Sequence, residues 1–67
     1  MNVGDRVTLN VDLMGFKKGA EGVVLSVLSD GTVTVEITHT PTCQKDSGLL
    51  AAQPESCFAP GANCPGQ

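Results

Sequence analysis

The chain has 67 residues, room for one domain with one modest core, because a chain this short buries only about 60% of the surface its unfolded form exposes. Its net charge is −3, and the one adjacent basic pair is Lys17 with Lys18, which disfavours nucleic acid as a partner, since neutralising phosphates takes clustered cations. No run approaches the ~20 apolar residues of a membrane span, and no basic region followed by an apolar stretch opens the sequence, so no membrane partner and a cytoplasmic location are expected.

Only Phe16 and Phe58 are aromatic, so Val, Leu and Ile must build the core. From Val3 to Leu9 apolar and polar residues alternate after Gly4, the pattern of a strand with Val7 and Leu9 on its buried side. Residues 10–18 keep neither the strand nor the helix period and read as a long loop folding back over the domain. Gly19-Ala20-Glu21-Gly22 reads as a tight turn feeding a strand from Val23 to Leu28. That strand is apolar on both parities, which predicts a bulge or sharp bend. Asp30-Gly31 follows, with alternating Val33, Val35 and Ile37 beyond it, and predicts a two-residue type I′ hairpin. Residues 39–47 have loop chemistry. Gly48 to Gln53 favours a short helix by propensity alone, but six residues are too few to hold one without tertiary context. Pro54-Glu55-Ser56 reads as a 3₁₀ turn, Cys57-Phe58-Ala59 as a last short strand, and residues 60–67 as a flexible C-terminal tail after a domain covering residues 1–59.

These elements make an all-β fold, and their order, three strands joined by a long loop and a tight hairpin, then a short fourth strand, a 3₁₀ turn and a fifth, is that of SH3-like barrels. Within it, Gly4-Asp5-Arg6-Val7, Phe16-Lys17-Lys18-Gly19-Ala20-Glu21-Gly22-Val23-Val24, and Val27 with Val33-Thr34-Val35-Glu36 resemble KOW-type domains. The opening Met1-Asn2-Val3-Gly4-Asp5-Arg6-Val7 also resembles the start of the variable chain of ferredoxin-thioredoxin reductase, from which this chain departs in a shorter first loop and a cysteine-bearing end. The resemblance implies a small five-stranded SH3-like barrel. KOW domains bind RNA or RNA polymerase, mostly through loops at one end of the barrel, whereas the variable chain scaffolds a partner that carries a metal cluster. One scaffold thus serves unrelated ends, and function must be argued from the site.

Four residues, His39, Cys43, Cys57 and Cys64, are the ligand types of a tetrahedral zinc site. Their spacing, with three, thirteen and six residues between them, lacks the Cys-x-x-Cys knuckle that pre-orders two ligands, and no metal or cofactor is assigned. In a reducing compartment the three cysteines are expected as thiols, and their odd number fits a closed disulfide framework poorly, although a bridge between two of them stays open as an alternative. Cys43 beside His39 is a nucleophile-base combination without an orienting third group. The carboxylate combinations Asp5 with Asp12 and Asp46 with Glu55 fit a solvated acidic exterior.

The candidate contact surface is the first loop, where Leu13, Met14 and Phe16 precede Lys17 and Lys18, because large apolar side chains in a loop go either into the core or against a partner. For Phe16, capping one end of the core is the competing role. The reading is a non-catalytic module, a protein-binding adaptor or small accessory subunit. The alternatives are a KOW-like contact with RNA, the ribosome or RNA polymerase, and a redox or zinc role for the C-terminal cysteines.

Overall fold

The computed structural model of the chain describes residues 1–64. Five strands form one antiparallel sheet: β1 (Arg6–Leu9), β2 (Glu21–Val27), β3 (Thr32–His39), β4 (Lys45–Pro54) and β5 (Phe58–Pro60), with a 3₁₀ turn over Glu55–Cys57 before β5. The strands lie in the order β4-β3-β2-β1-β5. The end strands β4 and β5 share no ladder among the described residues, so the sheet is all-β as expected but is not closed into the barrel that the order of elements predicts. No helix among the described residues is long and apolar enough to cross a membrane.

Alternation decides which side chains face inward. Val7 and Leu9 of β1 and Val33, Val35 and Ile37 of β3 are buried, and they pack with Ala20, Val24, Leu50 and Phe58 into one core. The doubled apolar pattern of β2 resolves as expected through a register shift between Val24 and Ser26, which leaves Leu25 and Val27 turned outward. A second shift between Glu21 and Gly22 brings the carboxylate of Glu21 fully inside.

The hairpin joining β2 to β3 departs in detail from the two-residue turn expected at Asp30-Gly31. Its loop is Ser29 to Gly31, closed by the Gly31 N–H to the Leu28 carbonyl (3.2 Å) and the Leu28 N–H to the Thr32 carbonyl (2.8 Å). Gly31 alone takes positive φ, at 88°, while Asp30 turns its carboxylate onto the N–H and hydroxyl of Thr32 at 3.0 and 2.7 Å. This is the three-residue hairpin in which one left-handed glycine completes the turn, so the αL geometry falls on the one residue that has no Cβ to oppose it.

β4 takes the place of the fourth strand that the resemblance implies, where propensity alone left a short helix open. Residues 48–53, helical by propensity, are extended, and Leu50, Leu49 and Gly48 pair with Val35, Glu36 and Ile37. The ladder overrides propensity because the strand state buries Leu50 completely and satisfies backbone groups that six residues of helix would leave unpaired. Gly48 is required here: a Cβ at that position would run into the ring of Phe16, which lies across it from the first loop.

The tail is also tied down further than the sequence predicts. Pro60 ends β5, Gly61 donates to the Arg6 carbonyl (3.0 Å) and Cys64 is buried; residues 65–67 of the expected flexible tail lie outside the described residues.

Candidate functional site

The first loop is a tight hairpin of its own. Leu13 and Phe16 exchange both backbone hydrogen bonds, at 2.8 and 2.9 Å, and the two residues between them, Met14 and Gly15, have φ of 50° and 88°. Two consecutive positive φ values define the type I′ geometry, which Asn-Gly adopts readily and a long side chain does not. Leu13 and Phe16 are half-buried against the core, so they anchor the turn, with Phe16 in the capping role over Gly48. Met14 is left at the tip, 69% exposed, with its sulfur 3.6 Å from the Gln53 amide nitrogen of β4. Lys17 and Lys18 are exposed beside it, and the base of the loop is fixed by the Lys18 N–H on the Asp12 carboxylate (2.7 Å). The candidate contact residues therefore divide: Leu13 and Phe16 hold the hairpin, and Met14, Lys17 and Lys18 are presented by it.

A second constellation lies at the other end of the loop, where Glu21 starts β2. Its side chain is fully buried and shares an ion pair and hydrogen bond with the Arg6 guanidinium of β1. The other carboxylate oxygen accepts the backbone N–H groups of Asn63 (2.9 Å) and Cys64 (2.8 Å). Burial by itself pushes this carboxyl up, but the Cys64 N–H, the Arg6 guanidinium and the Asn63 N–H together outweigh it and hold the group below its ordinary value of 4.5. Arg6 also donates to the Cys64 carbonyl (3.3 Å), so one ion pair grips both backbone polar groups of the same residue.

Cys64 is held a second time, by a disulfide to Cys43 with the two Cα atoms 5.5 Å apart. This corrects the expectation of three thiols, and it joins to each other two of the four residues considered as zinc ligands. Cys57 is the free, half-buried cysteine and packs against the core beside Phe58. His39 is buried with its Nδ1 2.9 Å from the Thr38 hydroxyl, and the Cys43 sulfur that would answer it as a nucleophile is taken up in the bridge. No group of three or more His, Cys, Asp or Glu side chains among the described residues is arranged to hold a metal ion.

The carboxylates weighed as pairs, Asp5 with Asp12 and Asp46 with Glu55, each find another partner instead. Asp5 accepts the Asn2 N–H, Asp46 the Ser47 N–H, and Glu55 pairs with the Met1 amino group at 3.1 Å.

Sequence reasoning misses the Glu21 clamp, and the available signal was small: a charged residue between two glycines at the mouth of an apolar strand, one residue out of phase with the buried Ala20, Gly22 and Val24. Its partners lie 15, 42 and 43 positions away, beyond any local pattern. Comparison of the chain with family models, with curated proteins and with solved structures finds no match in any of the three.

Proposed function

We propose that the chain is a non-catalytic binding module, an adaptor or small accessory subunit, that engages a protein partner through the Met14 hairpin. The observation that carries the reading is Met14 itself: a large apolar side chain 69% exposed, on a backbone at φ 50°. Non-glycine residues resist that conformation, and such strain is found at ligand clamps and recognition sites, where something other than stability selects the residue. Methionine is suited to contact because its unbranched thioether adapts to an irregular apolar socket. Lys17 and Lys18 at its side favour a socket rimmed by acidic groups. The strand order with a 3₁₀ turn ahead of the last strand supports an SH3-like scaffold beneath the loop.

The test is affinity capture from lysate of the source cell with wild type and with a Met14→Glu, Lys17→Glu, Lys18→Glu variant shown to be folded by circular dichroism. The wild type is expected to retain a protein that the variant loses; identical sets of captured proteins would end the reading. Mixed RNA at low salt, where phosphate attraction is greatest, is the companion measurement, and binding there that the variant abolishes would replace the protein partner with RNA.

A further inference from the structure

We propose that the Cys43–Cys64 disulfide is a thiol-reducible latch: it clamps residues 61–64 over the Glu21 carboxylate, and a dithiol reductant opens it without unfolding the sheet. The inference stands apart from the Met14 hairpin, because no residue of that loop takes part.

Two features make the opening local. Among the described residues the core cluster is assembled from β1 to β5 and reaches no further along the chain than Phe58, so the sheet keeps its apolar packing when residues 61–64 depart. Within that segment Gly61, Ala62 and Asn63 are exposed, and Cys64 alone is buried. With so little apolar surface to bury, four residues are held in place by the bridge, by the two N–H groups on Glu21, by the Arg6 bond to the Cys64 carbonyl and by two contacts of Gly61, its N–H to the Arg6 carbonyl and its carbonyl to the Thr8 hydroxyl. Once the covalent tie is cut, the conformational freedom regained by the segment opposes these few bonds, and Glu21 keeps Arg6 while water replaces the two amides.

The two sulfurs also differ in access. Cys43 is half-exposed in a turn built by the Cys43 N–H to the Thr40 carbonyl (2.9 Å) and the Gln44 N–H to the Thr40 hydroxyl (3.1 Å), whereas Cys64 is buried. An incoming thiolate therefore attacks the Cys43 sulfur, forms a mixed disulfide there and expels the Cys64 thiolate, which takes up a proton. The second thiol of the reductant then resolves the mixed disulfide. The reductant leaves as its own disulfide, and Cys43 and Cys64 each gain one electron and one proton. In an oxidising compartment the closed form prevails, and in a reducing one the open form, with two thiols and the Glu21–Arg6 pair uncovered.

The experiment is a comparison of amide NMR spectra of the oxidised protein and the protein reduced with dithiothreitol, with Cys64→Ser as a permanently open form. In the reduced protein and in the variant, the Asn63 amide is expected to lose the shift of a proton bonded to a carboxylate and move to its random-coil position, while Val24, Val35 and Leu50 keep their dispersed native signals. An unchanged Asn63 amide after full reduction would overturn the latch, since the clamp would then close without the bond. Collapse of the whole spectrum would overturn it equally, since the bridge would then be a staple of the entire fold. Absence of the disulfide from protein purified without reductant, read by intact mass, would remove its basis.

Discussion

Glu21 shows how a fully buried charge can be tolerated in so small a protein. A carboxylate out of water costs several kcal/mol unless each lone pair is answered, and here Arg6 and two backbone N–H groups answer them. The consequence for pH has a definite sign. The folded carboxyl sits below its ordinary value of 4.5, so the unfolded chain takes up the proton first; the stabilisation is complete above 4.5 and is lost as pH falls through the lower folded value. Glu21→Gln leaves Arg6 without its charge partner and should lower unfolding free energy by about 1–3 kcal/mol at neutral pH. Urea denaturation of the two proteins at descending pH is expected to show the gap shrinking below pH 4.5. A gap that stays constant from neutral pH down to pH 3 would mean that the folded carboxyl titrates like the unfolded one and that the clamp does not favour its charged form.

At the scale of the element, the Met14 hairpin sets stability against recognition. Its two central residues need positive φ, Gly15 supplies one at no cost, and Met14 takes the other against its own side chain. Met14→Asn creates the Asn-Gly dipeptide favoured for this turn and should raise stability by about 0.5–1 kcal/mol in thermal unfolding, while abolishing capture of the partner. A stabilised variant that still binds would leave the exposed methionine without a role. The elements also differ in how legible they are. β1 and β3 are readable because their inward residues, Val7, Leu9, Val33, Val35 and Ile37, recur with period two, a property of the local sequence. β4 is not, since Leu49, Leu50, Ala51 and Ala52 are helix formers and their extended state is imposed by pairing with β3. The same division runs through the sites. An apolar tip on the first loop can be seen in the sequence, but Phe16 turning back over Gly48 cannot, and neither can Cys43 choosing Cys64 over Cys57, because both depend on what the folded sheet brings together.

For the whole molecule the question is how a core of four valines, two leucines, one isoleucine, one alanine and one phenylalanine stays folded. A single core in a chain below about 70–80 residues rarely supplies more than about 3–5 kcal/mol. The disulfide joins positions separated by 21 residues, and closing a loop of that order is worth about 3 kcal/mol through the unfolded chain. The two contributions are therefore of similar size, and a core mutation should reveal it. Leu50 is fully buried where β4 meets the core, and Leu50→Ala should cost about 2–5 kcal/mol, enough to consume what the core provides by itself. The variant is thus expected to remain folded with a lowered melting temperature when oxidised, and to be unfolded at room temperature when reduced, whereas the wild type stays folded in both states. Circular dichroism melts of the four samples measure this directly. A reduced Leu50→Ala protein as cooperative as the oxidised one would show that the bridge adds little to the stability of the sheet, and that the core holds a larger reserve than about 3–5 kcal/mol.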